Sequence, residues 1–191
     1  MIPRVENNPY QAEAEWLWKE RGTDGEAVAR NGHSVVARDS RGRVLRQYEL
    51  AAIIYDPVLE ALHFVDLKAG TTLMSLPLTS DPFTWGPVIE VRGMSVPIGQ
   101  WVAQEGDTLL GEQIIEGMTR NGHRRELGAK AIEFWIAEEL QETVLARILA
   151  ERVDLTFRLY NIRREEPDPR LLMVFPQDPR DVVEEFIFRP L

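Results

Sequence analysis

Apolar and polar residues repeat with two different periods along the chain. From His123 to Arg152 the apolar residues recur at helical spacing, which predicts one long helix. From Val153 to Ile162 apolar and polar residues alternate, as they do in a half-buried strand. Near the N-terminus, Asn8-Pro9 is typical of a helix start and Gly22 of a helix end. A second helix is therefore predicted from Tyr10 to Arg21.

Shorter apolar runs bounded by turn residues predict the other elements. They comprise a helix at 107–120 and strands at 33–38, 44–55, 60–68, 71–79, 88–92 and 171–175. The segment 71–106 is rich in Pro and Gly and predicts a β-rich insertion within a single domain of residues 1–191. These elements predict an α+β fold, with an α/β core as the alternative, in which helices flank a central mixed β-sheet.

Composition limits the function classes. The chain has 191 residues, 44% of them hydrophobic, which is enough for a substantial core. It has no cysteine, which excludes disulfides and thiolate chemistry. No signal-peptide core or apolar run long enough to cross a membrane is visible, so a cytoplasmic protein without membrane contact is expected. The net charge of −9 disfavours nucleic acid as a partner and leaves a protein partner open.

The strongest chemical signal is Asp66-Leu67-Lys68, which ends the most strand-like run of the chain. If Asp56 to Leu59 form the turn of a hairpin, Tyr55 pairs with Glu60 and Glu49 lies opposite Asp66. Two carboxylates about 5 Å apart repel each other by about 3 kcal/mol at an effective dielectric constant near 20. A shifted pKa, a nearby cation or a divalent metal relieves such repulsion. Mg²⁺ or Mn²⁺ suits a pair of acidic ligands.

This arrangement resembles the restriction-endonuclease-like PD-(D/E)XK nuclease superfamily, whose (D/E)-x-K motif matches Asp66-Leu67-Lys68. The resemblance implies a restriction-endonuclease-like core and metal-dependent hydrolysis of phosphodiesters. Glu49 and Asp66 would then hold Mg²⁺ or Mn²⁺, Lys68 would assist the attacking water, and Glu13 or Glu15 would support the site. The chain departs from the motif because no Pro-Asp precedes the first acid and Glu49 replaces the usual aspartate. A degenerate, inactive member is therefore an alternative.

Other readings of the same residues stay open. Asp66 and Lys68 also suit an ordinary ion pair at a sheet edge, in a non-enzymatic module that binds a protein or a small ligand. His63 is expected to be packed or hydrogen-bonded rather than a metal ligand. Trp85 and Trp101 suit packing better than a pocket or base stacking. Finally, Arg120, Arg124 and Arg125 form a basic patch, expected to be solvated rather than to bind phosphate, and the Glu/Arg-rich face of the long helix is expected to be solvated too.

Overall fold

The computed structural model describes residues 8–22, 26–77, 88–91, 94–97 and 103–175, without the side chains of 76–77, 88–91 and 94–97. This part of the chain forms thirteen strands and one short 3-10 helix. The strands are β1 (Tyr10–Arg21), β2 (Ala27–Arg38), β3 (Val44–Gln47), β4 (Ala51–Asp56), β5 (Ala61–Asp66), β6 (Thr71–Pro77), β7 (Val88–Val91), β8 (Met94–Pro97), β9 (Thr108–Ile115), β10 (Met118–Leu127), β11 (Lys130–Ala137), β12 (Glu142–Leu149) and β13 (Val153–Arg163), and the 3-10 helix is Pro169–Leu172.

The chain divides into two compact units. The first contains β2 from Ser34 onward, β3 to β8 and the 3-10 helix, and its main sheet has the order β6-β5-β4-β3-β2. The second contains β1 from Ala12 onward, β2 up to His33 and β9 to β13, in the order β2-β1-β13-β12-β11-β10-β9. Strands β7 and β8 pair only with each other and lie within the predicted insertion of 71–106, most of which is outside the described residues.

The predicted α+β fold with helices around a mixed sheet is wrong. No α-helix occurs in the described ranges, and every strand pair with a defined register is antiparallel. A restriction-endonuclease-like core, which needs helices on its sheet, is therefore absent from this part of the chain. The sheets are built instead from consecutive hairpins, which need only short turns between strands.

The helix predicted from Tyr10 to Arg21 is the strand β1, with the same bounds. Ala12 and Ala14 are buried, whereas Glu13 and Glu15 between them are exposed. This period of two is the pattern of a strand with one covered face. Alanine, glutamate and leucine favour helices when isolated, but that preference is weak beside the burial of one strand face.

The helices predicted over 107–120 and 123–152 are four strands, β9 to β12. Burial in β11 repeats in the order intermediate, buried, buried, because both faces of this strand are covered. That repeat imitates helical spacing. Two of the three turns that break the segment contain glycine. Glu116 and Gly117 both have positive φ, as in a type I′ turn, and Gly128 has φ of 64° at the first position of the two-residue loop before Lys130.

The strands predicted over 60–68, 71–79, 88–92 and 153–162 are confirmed, with small shifts of their ends, by β5, β6, β7 and β13. The single strand predicted from Val44 to Tyr55 is instead a hairpin of β3 and β4, in which Val44 pairs with Tyr55. The predicted register of the following hairpin is also wrong by two residues, since Asp66 pairs with Ala51 rather than with Glu49.

A compact apolar core holds the first unit together. Its sheet contributes Ala37, Leu45, Ala52, Ile54 and Val65, and Leu172 of the 3-10 helix packs on them. Asp168 caps this helix by accepting a hydrogen bond from the backbone N–H of Arg170 at 2.9 Å, and Pro169 follows at its first turn. The strand predicted at 171–175 is therefore partly this 3-10 helix, which covers one face of the sheet.

Candidate functional site

The side chain of Asp66 is used in a turn. Its Oδ1 accepts hydrogen bonds from the backbone N–H groups of Lys68 and Ala69, each at 2.9 Å. Lys68 lies in this turn, and within the described residues no ion pair joins its ammonium group to Asp66. The arrangement is that of an aspartate which stabilises the chain reversal after a strand.

Glu49 lies in the tight turn between β3 and β4, where it is exposed and has no position in the β4–β5 ladder. Glu13 belongs to the second unit, in β1, where it accepts a hydrogen bond from Nδ2 of Asn161 at 3.0 Å. Among the described residues no group of three or more histidine, aspartate or glutamate side chains is arranged to hold a metal. Binding of Mg²⁺ or Mn²⁺ by Glu49 and Asp66 stays a prediction.

The second unit contains an open cleft of about 530 Å³. This volume lies in the range that is usual for small-molecule sites. Residues from five strands line it: Glu15, Trp16 and Leu17 of β1, Asn31, Gly32 and His33 of β2, Gln113, Ile114 and Ile115 of β9, Leu145 and Arg147 of β12, and Thr156 and Arg158 of β13. Because β2 and β9 are the two ends of this unit's strand order, the sheet curls so that both ends face one cleft.

One contact fixes this curl. Glu116, in the turn between β9 and β10, accepts hydrogen bonds from Nη2 of Arg158 and from the backbone N–H of Asn161, each at 3.2 Å. Both donors belong to β13, which is separated from β10 by β11 and β12. The hairpin at the sheet edge is thereby tied to β13, whose Arg158 also lines the cleft.

Two tryptophans lie directly on glycines of neighbouring strands. A Cβ at Gly32 would overlap Cζ2 of Trp16, and a Cβ at Gly122 would be 2.5 Å from Nε1 of Trp135. Any larger residue would displace the indole, so both glycines are required by close packing rather than by an unusual backbone conformation. Neither indole N–H has a hydrogen-bond acceptor among the described residues.

A cross-strand row of charges ends in a cation at the cleft. In the strand register Arg124 lies opposite Glu133, Glu133 lies opposite Arg147, and Arg147 lies opposite Thr156, along four adjacent strands. Glu133 accepts a hydrogen bond from Nη1 of Arg124 at 2.8 Å. Arg147 is exposed, lies 5.7 Å from the centre of the Trp135 ring, and forms no ion pair among the described residues. Its charge is therefore available to a ligand in the cleft.

Arg158, the other arginine of the cleft, is shared between two carboxylates. It lies 3.2 Å from Glu116 and 3.9 Å from Glu15, and nearly half of its side chain is exposed. Pairs as exposed as these contribute only about 0.2–1 kcal/mol each. Arg158 mainly holds the hairpin in place, which leaves Arg147 as the better candidate for a ligand contact.

A polar group of side chains borders the cleft beside β2. The hydroxyl of Tyr160 is 3.3 Å from Nδ1 of His33, which lines the cleft. Burial, a hydrogen bond with Glu13 and the charges of Glu13 and Glu15 raise the pKa of Tyr160. The tyrosine hydroxyl therefore remains protonated at neutral pH and donates its proton to the hydrogen bond with Glu13.

The basic patch expected at Arg120, Arg124 and Arg125 is neutralised by carboxylates. Both terminal nitrogens of Arg120 bind Glu139, at 2.5 and 2.6 Å, and Arg125 binds both oxygens of Asp107, at 2.7 and 2.8 Å. Arg120, Arg124 and Arg125 belong to β10 rather than to a helix junction.

His63 is buried and hydrogen-bonded to Ser75 at 2.8 Å, as the sequence indicated. Trp85 and Trp101 lie outside the described residues.

Sequence reasoning missed the residues that form the cleft. Arg147 and Trp135 both fall within the helix predicted from His123 to Arg152, which is two hairpins at this point. The signal that could have located them is the type I′ Glu116-Gly117 turn, which marks a hairpin and places Gly122 on the strand next to Trp135.

Comparison with known proteins adds information about the fold. No protein-family model matches the chain, and no curated protein matches it. An uncharacterized conserved protein from Thermus thermophilus is similar over 90% of this chain and 88% of that one, with a TM-score of 0.51 and 14% identity. This similarity shows the fold alone.

Two further solved structures are more distant. MucB matches over 88% of this chain and 58% of that one, with a TM-score of 0.43 and 12% identity. A LolA superfamily protein from Nitrosomonas europaea matches over 89% and 92%, with a TM-score of 0.24 and 8% identity. Because the described residues form strands and one 3-10 helix, the resemblance to PD-(D/E)XK nucleases, with the nuclease-type hydrolysis that it implied, is wrong. No membrane-spanning helix is found in the part of the chain that the structure describes.

Proposed function

We propose that the second unit is a binding module whose cleft takes a small amphipathic ligand with an anionic head. The observation that carries the proposal is the position of Arg147, an exposed cation of the cleft with no carboxylate partner among the described residues. A guanidinium group binds carboxylate or phosphate oxygens through paired N–H donors. The Trp135 ring beside it helps to hold the guanidinium in place.

The apolar part of the lining suits the tail of such a ligand. Trp16, Ile115 and Leu145 line the cleft beside the charged residues. Each square ångström of apolar surface that a ligand buries against them contributes about 25 cal/mol. His33, which also lines the cleft, offers a further polar group to the ligand. This combination of an apolar wall and a few directed polar groups is usual in small-molecule sites.

Calorimetric titration with ligands that share a tail and differ in the head group tests the proposal. Sodium decanoate is the anionic probe and decanol the neutral one, and the proteins are the wild type, Arg147→Gln and Arg152→Gln. Arg152 is the matched control because it is an exposed arginine of the second unit that does not line the cleft. A charge-assisted hydrogen bond is worth about 1.5–3 kcal/mol, so Arg147→Gln should weaken decanoate binding at least about tenfold.

Binding of decanol should change little in either variant, and Arg152→Gln should bind decanoate like the wild type. Equal affinity of the wild type and Arg147→Gln for decanoate would show that Arg147 does not bind the head group. Absence of decanoate binding to the wild type would contradict the proposal that the ligand is an anionic amphipathic molecule.

A further inference from the structure

The strand β9 has only one neighbour among the described strands. It lies at the end of the second unit's strand order, beside β10, and seven of its eight residues are exposed. The backbone N–H and C=O groups on the outer side of such a strand can pair with another extended chain. An edge strand of this kind is normally protected by charges, proline or a covering element.

A β-bulge places two large apolar side chains on the same face of this edge. Leu109 pairs with His123 and Ile114 with Thr119, and the register shifts between Gly122 and His123. Residues five apart in a regular strand point to opposite faces, but the extra residue in the bulge restores them to one face. Leu109 and Ile114 are 72% and 74% exposed.

Glu112 lies between these two residues on the same face. Its partner on β10 is Asn121, midway between the partners of Leu109 and Ile114. Within the described residues Glu112 forms no ion pair. The free edge therefore presents an apolar, an acidic and an apolar side chain at successive positions on one face.

This pattern determines which residues a strand needs in order to pair with the free edge of β9. An added strand with apolar, basic and apolar residues at positions i, i+2 and i+4 would place a cation opposite Glu112 and apolar side chains opposite Leu109 and Ile114. A second copy of this chain fits less well, because the antiparallel register that pairs Leu109 with Ile114 also opposes the two Glu112 side chains. The net charge of −9 on each copy adds to that repulsion.

We propose that β9 is a strand-addition surface for an extended basic segment of a partner protein. The segment pairs with the outer edge of β9 and contacts Leu109, Glu112 and Ile114. Leu109 and Glu112 of this surface lie outside the lining of the cleft, whereas Ile114 belongs to both.

Fluorescence anisotropy with labelled peptides tests the proposal. The probe Thr-Val-Thr-Lys-Thr-Val-Thr has the required pattern, and a second peptide carries Glu in place of Lys. The variants are Glu112→Lys and Leu109→Lys, with Leu59→Lys as the control, because Leu59 is a similarly exposed leucine in a turn of the first unit. Circular dichroism checks that each variant is folded.

The wild type should bind the Lys peptide more tightly than the Glu peptide, and Glu112→Lys should prefer the Glu peptide. The ratio of the two affinities should change by about fivefold to tenfold between the two proteins. Leu109→Lys should lose binding of the Lys peptide, whereas Leu59→Lys should retain it. Equal binding of both peptides to the wild type, or equal binding by Leu109→Lys and the wild type, would overturn the proposal. A homodimer in sedimentation equilibrium that Leu109→Lys dissociates would overturn the basic partner in favour of a second copy.

Discussion

The indole of Trp135 lies against the backbone of Gly122 on the neighbouring strand, where a Cβ would come within 2.5 Å of Nε1. Leu145 is the partner of Trp135 on the other side, and Arg147 packs over the face of the ring. The glycine thus allows a large aromatic ring to support the residue that we assign to ligand binding.

Gly122→Ala should destabilise the protein by about 1–3 kcal/mol, because the added methyl group overpacks the indole. In a strand without this contact, alanine should be more stable than glycine. Denaturant unfolding of a double-mutant cycle with Trp135→Leu separates the two effects. In the Trp135→Leu background, Gly122→Ala should lower the free energy of unfolding much less, or should raise it. The same cost in both backgrounds would show that Trp135 is not the obstacle.

Asp66→Ala should destabilise the protein by about 0.5–2 kcal/mol, because two backbone N–H groups lose their acceptor. Asp66→Asn, which keeps the acceptor oxygen, should cost less, and Lys68→Ala should be nearly neutral. Unfolding midpoints in urea measure all three. A rise in the midpoint with Mg²⁺ that Asp66→Ala abolishes would point instead to a metal site at Asp66.

Stability should fall as the pH drops below about 6.5, in part because of His63. Burial lowers the pKa of His63, and the charge of Asp56 only partly opposes this. The unfolded chain, with an ordinary histidine pKa of about 6.5, therefore binds the proton more readily than the folded chain, and acid favours unfolding. One such group changes the free energy of unfolding by at most about 1.4 kcal/mol per pH unit.

Urea unfolding between pH 5 and pH 8 measures this dependence. His63→Gln should flatten the profile. A profile of the wild type that His63→Gln does not alter would assign the acid sensitivity to other groups.

Strands β5, β6, β7 and β13 could be predicted from sequence, and in β13 the alternation is plain, as in Leu155, Phe157 and Leu159. Strand β11 could not, because Phe134 and Trp135 are both buried and the spacing of its buried residues imitates a helix. The predicted pairing of Glu49 with Asp66 is wrong because of the register. A register error of two residues keeps every side chain on its face but moves Glu49 away from Asp66. The cleft joins strands distant in sequence, and the Glu116-Gly117 turn is the local signal near it.

The most direct test of the binding proposal follows the indole N–H resonances of the tryptophans in two-dimensional NMR spectra while decanoate is added. Trp135, beside Arg147, and Trp16, in the lining of the cleft, should shift in a saturable way, while Trp18, which does not line the cleft, should stay unchanged. In Arg147→Gln the same shifts should require at least about tenfold more decanoate. Resonances of Trp135 and Trp16 that do not move, or equal shifts of Trp18, would contradict binding in the cleft.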